Sequence, residues 1–422
     1  MDSVIYKTYI DILHSELIPA MGCTEPIAIA LTAATAKSHF KGGRIESVDV
    51  AVSGNIIKNV KSVMVPGTGG LRGIPAATAA GIVAGHPERE LEVLEGMTDS
   101  EKAAIAEFIN NVPINITESV SEFILDIGIT VNGDSHSTYV RTAQHHTGLC
   151  LIVVDGVTVF SKEIEQNAGD IDHSALSIEN IIEFADCADI DDVKELLDRQ
   201  ITYNTAIAEE GLKGRYGAAI GRTLLMSYGD TVHNRAKAWS AAGSDARMNG
   251  CEMPVIINSG SGNQGITASL PVIVYAKEMR VSSDKLYRAL LVSNLTTIHL
   301  KTGIGCLSAY CGAISAGCGA AAGVMYLHGG GYEEISHTVV NALAINSGVV
   351  CDGAKASCAA KIASAVESGL LGMQMYMHGK EFYSGDGIVA GSVEATIKNV
   401  GKLAQNGMAE TDREIIRIML KN

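Results

Sequence analysis

Residues 303–323 read GIGCLSAYCGAISAGCGAAAG, and the wider segment 302–327 carries no charged side chain. The run consists mainly of Gly, Ala, Ser and Cys, with few Leu or Ile. Such a composition gives little transfer free energy into lipid, but it lets backbones approach one another closely. We therefore predict that this segment is buried helix and loop in a protein core and not a membrane span.

The cysteines are concentrated in and after this run. Five of the nine fall within the 53 residues from Cys306 to Cys358, and the last two lie in VVCDGAKASC, residues 349–358. Clustered soft thiolates in a chain without secretory features favour an iron–sulfur or zinc site over a disulfide framework. In an unbroken helix, Cys351 and Cys358 would be about 10 Å apart along the axis. The Asp and Gly of DGAKA instead favour a loop.

Cys311 lies 40 residues before Cys351, far enough to come from another helix. Three thiolates from two segments can hold three irons of a [4Fe–4S] cube and leave the fourth iron open. The alternative is that these cysteines are small apolar residues of a Gly/Ala-rich core. Both interpretations stay open, because the CxxC spacing of zinc ribbons and ferredoxins is absent.

A sixth cysteine, Cys23, stands alone in PAMGCTEPIAIA. The flanking segments IYKTYIDILHSEL and EPIAIALTAATAKS have helical spacing, so the turn IPAMGCT puts Cys23 next to a helix start. A helix dipole lowers the pKa of a thiol in that position. We expect a lowered pKa for Cys23 and expect it to fold back onto the C-terminal cysteines.

The remaining pattern predicts an α+β fold. RIESVDVAVSG, EFILDIGITVNG, HSTYVRTAQHHTG and LCLIVVDGVTVFSK alternate as strands do, and turns separate them. PAATAAGIVAG and SEKAAIAEFIN are helical in pattern, and from about residue 176 no clear strand follows. We predict a mostly helical catalytic domain, residues 1–40 and 176–422, which carries the iron–sulfur site. An α+β domain with an antiparallel sheet, residues 44–165, interrupts it.

The composition of the chain limits the classes of binding partner that we expect. The 422 residues carry a net charge of −15 and no Lys/Arg cluster, so neither nucleic acid nor an anionic membrane is an expected partner. The N-terminus has no signal-peptide pattern. Together with the odd cysteine count, this favours the reducing cytoplasm. The assembly state is left open, with a homo-oligomer among the alternatives.

Two glycine-rich segments are candidate anion sites. SGSGNQGITASLP (259–271) offers backbone N–H groups before a helix expected to begin near Ile266, which suits a carboxylate or a phosphate. It matches neither a Walker A loop nor GxGxxG after a strand, and a flexible helix–helix turn is the alternative. PGTGGLRGIPAATAAG (66–81) is better interpreted as a tight turn before a helix. His145 and His146 form either a hydrogen-bonded corner or part of the site.

The segments MGCTEP, SGSGNQG, AYCGAISAGCGAAAG and CDGAKASC together resemble the L-cysteine desulfidase family, which is related to the alpha part of iron–sulfur L-serine dehydratases. The resemblance runs over nearly the whole chain, and the inserted unit resembles the smaller domain of those dehydratases. It implies an oxygen-sensitive [4Fe–4S] cluster held by Cys311, Cys351 and Cys358. Cys23 resembles the catalytic or fourth-ligand cysteine, whereas Cys306 and Cys318 are expected to pack in the core.

The activity that this resemblance implies is β-elimination of L-cysteine to pyruvate, ammonia and hydrogen sulfide by a carbon–sulfur lyase. Cys23 would take the Cα proton. The loop 259–265 would hold the substrate carboxylate through four residues: Ser259, Ser261, Asn263 and Gln264. Lys301 or Lys355 could stabilise charge, or each could be a solvated lysine.

Three rival functions are compatible with parts of the sequence. The first is L-serine dehydration, by a carbon–oxygen lyase on the same fold. The second is a pyridoxal-phosphate enzyme in which SGSGNQG holds the substrate and Lys237 forms the Schiff base. It leaves the cysteines without a role and lacks the expected strand–helix alternation. The third is a non-enzymatic redox sensor or binding protein that carries a cluster, although no effector or DNA-binding region is evident.

Overall fold

The computed structural model describes residues 1–121, 123–163, 172–305 and 308–421. It confirms the α+β class, because a bundle of helices accompanies one larger and one smaller sheet. The chain begins with α1 (Ser3–Glu16), the short strand β1 (Pro19–Met21) and α2 (Thr24–His39). The side chain of Asp2 accepts a hydrogen bond from the Val4 backbone and so caps the start of α1.

The larger sheet contains, among the described residues, six strands in the order β3-β2-β4-β5-β6-β7. Their bounds are β2 (Ser47–Val52), β3 (Ile114–Glu118), β4 (Asp126–Gly133), β5 (His136–Ala143), β6 (Leu149–Val154) and β7 (Val157–Ser161). Neighbouring strands run antiparallel, as predicted, except that β3 lies parallel to β2. The sequence pattern missed β3 because most of its side chains are exposed and show no apolar alternation.

Three helices lie between β2 and β3 in sequence: α3 (Gly54–Val60), α4 (Gly73–Ala84) and α5 (Asp99–Asn111). The helices α2 and α4 share one hydrophobic core with the inner face of the larger sheet. The sequence analysis assigned α2 to the helical domain; in the structure α2 packs against α4 and against β4 and β5 of the larger sheet. Every residue from Thr24 to Ala36 except Leu31 is buried, so the apolar pattern of α2 did not indicate a single partner. The domain boundaries as a whole stay a prediction.

Among the described residues after β7, the chain forms a layered helical bundle with one short strand. Its helices before the cysteine-rich segment are α6 (Ile178–Cys187), α7 (Lys194–Leu212), α8 (Ile220–Tyr228), α9 (Val232–Met248), α10 (Gly262–Met279) and α11 (Ser283–Thr302). Those after it are α12 (Ala313–Leu327), α13 (Tyr332–Ile345), α14 (Cys358–Met377), α15 (Val393–Lys402) and α16 (Ala409–Lys421). A π-helical turn, Leu403–Gly407, joins α15 to α16.

The strand β8 (Pro254–Ile256) corrects the prediction that no strand follows residue 176. It pairs antiparallel with β1, with Ala20 opposite Val255. Three residues are too few for alternation to be visible in the sequence. The pair is important for the site, because β1 precedes Cys23 and β8 precedes the glycine-rich loop.

The helix α12 lies at the centre of the bundle, packed between α10, α11 and α14. All of its residues are buried, as the uncharged run predicted. A β-carbon at Gly317 would lie 2.4 Å from the Ala365 carbonyl oxygen of α14, so only glycine permits this helix crossing. Cys318 packs in the core, as predicted, while Cys306 lies outside the described residues. None of the described helices combines the length and the apolar character that a membrane crossing demands.

Candidate active site

A cavity of about 100 Å³ lies where the start of α2 meets the starts of α10, α12 and α14. Its wall contains all the side chains that the sequence analysis assigned to catalysis, substrate or metal: Cys23, Ser259, Ser261, Asn263, Gln264, Cys311, Cys351 and Cys358. Four segments that are distant in sequence therefore meet in one small space. Their individual roles are not fixed by this meeting alone.

Cys23 is the residue immediately before α2, as predicted, but its electrostatic surroundings differ from the prediction. The thiol is buried, and its Sγ donates a hydrogen bond of 2.9 Å to Glu25 Oε2. Burial, followed by the negative charge of Glu25, raises the pKa of Cys23 well above its ordinary value, and nearby Arg247 offsets only part of this. The predicted lowering of the pKa is therefore wrong, because desolvation and the carboxylate outweigh the helix dipole.

The carboxylate of Glu25 connects this thiol to its surroundings. Asn59, in α3, donates a hydrogen bond of 3.0 Å to the other carboxylate oxygen, Oε1. The neighbouring Thr24 hydroxyl donates to the Gly260 carbonyl at 3.0 Å and so ties the start of α2 to the glycine-rich loop. Glu25 is 9% exposed, which is low for a carboxylate, and each of its oxygens accepts a hydrogen bond. The position of the Cys23 thiol is thus fixed by hydrogen bonds.

The glycine-rich loop makes a tight turn and enters α10 earlier than predicted. Asn258 and Ser261 exchange two backbone hydrogen bonds of 3.1 Å, and the residues between them have positive φ, +49° at Ser259 and +76° at Gly260. The helix begins at Gly262 and not near Ile266. A non-glycine residue in the left-handed region is strained, and such strain is common at functional sites.

The amide side chains at the start of α10 are incompletely satisfied. Gln264 Nε2 donates to the Ser259 carbonyl at 3.4 Å. The side-chain oxygens of Asn263 and Gln264 are buried and have no hydrogen-bond partner among the described residues. Buried polar atoms nearly always have partners. Both atoms belong to residues of the cavity wall, so they are suited to contact a ligand.

A short backbone ladder brings two of the candidate metal ligands together. Tyr310 and Val350 form an antiparallel bridge, the Cys311 N–H donates to the Val349 carbonyl at 2.8 Å, and the Cys351 N–H donates to Ala309 at 2.6 Å. The two thiols interact directly. The hydrogen bond from Cys311 lowers the pKa of Cys351 and raises the pKa of Cys311 well above its ordinary value. Because the two thiols are coupled, the pair loses its first proton easily and its second proton only at higher pH.

The third candidate ligand, Cys358, is the first residue of α14, and residues 351–357 form the loop that the sequence predicted. Two cations lie near this loop, since Lys58 and Lys361 both lower the pKa of Cys351. Lys361 also donates to the Val350 carbonyl at 2.7 Å and pairs with Asp352. A positive environment favours thiolates, the form in which cysteine binds metal.

The three candidate ligand thiols in the cavity wall are donors of the type that iron–sulfur clusters require. Among the described residues, no three Cys, His, Asp or Glu side chains are close enough together to hold one metal ion. A tetrahedral zinc site with Zn–S distances of about 2.3 Å requires that closeness. Thiolates that bind different irons of a cluster can lie further apart. Cys311, Cys351 and Cys358 would be the residues to hold such a cluster.

The sequence analysis named four other residues near the site, His145, His146, Lys301 and Lys355, and not all of them line the cavity. His146 and Lys301 line the cavity, whereas His145 lines only the larger cavity of about 490 Å³ that adjoins it. Burial lowers the pKa of His146, and its Nε2 atom has no hydrogen-bond partner among the described residues. Lys301 donates to the Gly305 carbonyl, and Lys355 pairs with Asp352.

The sequence analysis missed Glu25, Asn59 and Arg247, which also line the cavity. A signal was present for one of them. Glu25 is the only charged residue in the apolar run EPIAIALTAATA. A single charge in an otherwise small or apolar run indicates a buried functional group. We find no comparable signal for Asn59 or Arg247, since α9 carries several other charged residues.

Comparison with known proteins gives a matching family model and several similar proteins. A family model described as the serine dehydratase alpha chain matches residues 88–417. Among similar proteins are three named UPF0597 proteins. The one from Desulfitobacterium hafniense is 56% identical, with 98% of this chain and 97% of the relative covered. The one from Lachnoclostridium phytofermentans is 50% identical over 99% and 100% of the two chains. The one from Treponema denticola is 43% identical over 100% of both.

Proposed function

Since the chain belongs to the serine dehydratase alpha-chain family, we propose that it is an iron–sulfur-dependent lyase that eliminates hydrogen sulfide from L-cysteine. The main support is the single cavity that joins a buried Cys–Glu pair, a loop with unpartnered amide oxygens and three further cysteines. The proposed reaction consumes L-cysteine and water and gives pyruvate, ammonia and hydrogen sulfide. It needs three things: a held carboxylate, a base for the Cα proton and help for the leaving group.

The substrate carboxylate is held at the start of α10 in this proposal. The first turn of a helix presents backbone N–H groups without intrahelical partners, and its dipole favours an anion. Ser259, Ser261, Asn263 and Gln264 surround that position. Their hydroxyl and amide N–H groups can donate to the carboxylate, whereas the unpartnered amide oxygens of Asn263 and Gln264 can accept from the substrate ammonium group. The loop is rigid, because the Asn258–Ser261 backbone pair and the Thr24–Gly260 hydrogen bond fix it from both sides. A fixed carboxylate orients the Cα–H bond.

The Cα proton goes to Cys23. Its sulfur must first lose its own proton, and Glu25 Oε2, 2.9 Å away, accepts the hydrogen bond from that proton. When the proton moves to Glu25, the Cys23 thiolate can take the Cα proton, and the electron pair of the Cα–H bond forms the Cα–Cβ double bond. Because the pKa of Cys23 is raised, its thiolate is a stronger base than an ordinary cysteine thiolate.

The Cβ–S bond breaks in the same elimination, and its electron pair leaves with the sulfur as HS⁻. A [4Fe–4S] cluster on Cys311, Cys351 and Cys358 would supply a Lewis acid that draws charge from this leaving group. The cations Lys58 and Lys361 would lower the cost of the negative charge at those thiolates. The released 2-aminoacrylate tautomerises and reacts with water to give pyruvate and ammonia without further catalysis.

The test is turnover of protein that has been purified and reconstituted without oxygen. We expect L-cysteine to give sulfide and pyruvate in equal amounts. Cys351→Ser should lose both the cluster absorbance and the activity, whereas Cys23→Ala should keep the cluster and lose turnover. Cys187→Ser is the matched control, because Cys187 is exposed and does not line the cavity; it should change neither. Full activity in either cavity variant would contradict the proposed roles.

L-serine dehydration is the second candidate, and the description of the family model favours it directly. The same residues would act, with hydroxide in place of HS⁻ as the leaving group. A sulfur leaving group suits a soft, thiolate-bound iron better than a hydroxyl does, which is why we put L-cysteine first. Pyruvate from L-serine without sulfide from L-cysteine, in protein that carries its cluster, would reverse this order.

The other two rivals have less support. Lys237, the conceivable Schiff-base lysine, pairs with Glu367 of α14 at 2.5 Å, and it is absent from the described lining of the cavity. A cluster-bearing sensor does not require a base or a carboxylate site beside its cluster. The Cys23–Glu25 pair in the cavity favours an enzyme, and a small amino acid as its substrate.

A further inference from the structure

Arg247 is the most deeply buried cation of the cavity. It lies in the last turn of α9, is 2% exposed, and lines the cavity together with Cys23 and the glycine-rich loop. A β-carbon at Gly262 would lie 2.3 Å from Arg247 Nε and 2.8 Å from Cζ. The guanidinium therefore lies directly against the first residue of α10, and glycine at position 262 leaves room for it.

This guanidinium has no strong partner among the described residues. Its Nε atom is buried without a hydrogen-bond acceptor, and no described carboxylate forms an ion pair with the side chain. Arg141 shows the usual arrangement in the same protein. Although its side chain is 29% exposed, it makes two hydrogen bonds to Asp126, of 2.8 and 3.1 Å. The more buried of these two arginines is thus the one without a counter-ion.

A buried guanidinium keeps its proton, because arginine does not lose it in proteins. Burial of an unpaired charge is costly, so the arrangement is explained if an anion binds in the cavity. Glu25 lines the same cavity, but its oxygens already accept hydrogen bonds from Cys23 and Asn59. Guanidinium groups bind carboxylates through two parallel hydrogen bonds.

We propose that Arg247 binds the carboxylate of the substrate, so that the anion lies between the guanidinium and the start of α10. The inference rests on the proposed function in one respect, that the ligand is a small amino acid. The inference adds Arg247 as the residue whose positive charge balances the substrate carboxylate, whereas the side chains of the loop 259–264 contribute hydrogen bonds without a charge. Arg247 thereby selects free α-amino acids over their amides and over amines.

The test measures binding, so it needs no turnover. L-alanine has the carboxylate and amine of the substrate but no leaving group, and L-alaninamide lacks only the carboxylate charge. We expect L-alanine to raise the thermal unfolding temperature of the wild-type protein and to give a measurable Kd by calorimetry, and L-alaninamide to do neither. Arg247→Lys keeps the charge but loses the paired geometry, and it should weaken the Kd of L-alanine roughly 10- to 100-fold.

Arg141→Lys is the matched control, since it changes an ion-paired arginine away from the cavity and should leave the Kd unchanged. Equal Kd values for L-alanine in wild type and folded Arg247→Lys would overturn the inference. The inference would also be overturned if the wild-type protein bound L-alaninamide as tightly as L-alanine, or if it bound neither compound. These two outcomes are measured on the wild-type protein alone, so they do not depend on whether a variant folds. If L-cysteine is not cleaved but L-alanine still binds through Arg247, the proposed function fails and the carboxylate assignment stands.

Discussion

Asp245 lies two residues before Arg247 in α9, and it shows how burial alone shifts a carboxylate. The residue is fully buried, and its Oδ2 accepts a hydrogen bond of 3.0 Å from the Gly221 backbone. Its other oxygen, Oδ1, has no hydrogen-bond partner among the described residues. Desolvation raises the pKa of Asp245 from 3.8 to about 6, against the smaller opposing effect of the backbone hydrogen bonds.

This shift predicts a pH-dependent stability. Between pH 3.8 and 6 the folded protein holds more protons on Asp245 than the unfolded chain, so its stability falls as the pH rises through that window. Asp245→Asn removes the titration. We expect the variant to be more stable than wild type by about 3 kcal/mol at pH 8 and by little at pH 4. Urea unfolding at both pH values measures this, and an equal difference at the two values would contradict it.

At the scale of elements, the small residues of α12 determine how closely its neighbours pack. Gly317 faces α14, and Gly369 of α14 faces back, with its β-carbon position 2.4 Å from the Gly317 carbonyl oxygen. On the other side, a β-carbon at Gly323 would lie 2.7 Å from the Ala289 carbonyl oxygen of α11. The uncharged run thus gains its stability from close backbone approach and not from large apolar side chains.

Gly317→Ala tests this packing. In an isolated helix the change would stabilise by about 1 kcal/mol. Here the new methyl group meets the rigid backbone at Ala365, and overpacking of this kind costs about 1–3 kcal/mol. We expect a net loss of unfolding free energy. Gly391→Ala, which would introduce a methyl group into open space, is the control and should change the unfolding free energy by less than about 0.5 kcal/mol. Unchanged or increased stability of Gly317→Ala would refute the packing explanation.

Several elements could be predicted from the sequence because their patterns are local. The strands β4 to β7 alternate and are separated by turn residues, so their positions follow from side-chain period alone. The start of α10 could not be predicted, because Gly262 and Gly265 are poor helix formers. Tertiary contact fixes that start: a β-carbon at Gly265 would lie 2.0 Å from the Ile256 carbonyl oxygen. The parallel pairing of β3 with β2 likewise depends on tertiary contacts, which a local sequence pattern does not show.

For the candidate site, the sequence analysis identified the thiols and the loop but missed the charged residues around them. Cysteine clusters and glycine-rich loops are rare enough to be visible as motifs. Arg247 and Glu25 have residue types that usually lie on surfaces, and their burial depends on how α2 and α9 pack. The pKa of Cys23 was mispredicted for the same reason, since the helix start is local but the desolvation is not.

At the scale of the whole molecule, the C-terminal helix α16 supports the site from outside. Asp412 of α16 forms an ion pair with Lys58 of α3, and the Lys58 side chain is only 1% exposed. The helix α3 also carries Asn59, which donates a hydrogen bond to Glu25. The Lys58 carbonyl oxygen lies 2.3 Å from the β-carbon position of Gly353, so α3 also packs against the loop between Cys351 and Cys358.

Asp412→Asn should therefore destabilise the protein. It leaves the buried Lys58 charge unpaired, which costs about 3 kcal/mol. The double variant Lys58→Met, Asp412→Leu should recover most of the loss, because an apolar pair replaces the buried ions. Glu410→Gln is the control on the same helix. Its partner Arg413 is exposed, so the loss should stay below about 1 kcal/mol. Chemical unfolding of the four proteins measures all of this, and equal losses for the Asp412 and Glu410 variants would contradict it.

The scatter of the cavity residues along the chain also sets an order of events during synthesis. Cys23 leaves the ribosome first, and Cys358 follows 335 residues later. At about 5–20 residues per second, that interval is roughly 20 to 70 seconds. During that interval the set of four cavity cysteines is incomplete. A cluster held by Cys311, Cys351 and Cys358 would therefore be completed only after translation has passed Cys358.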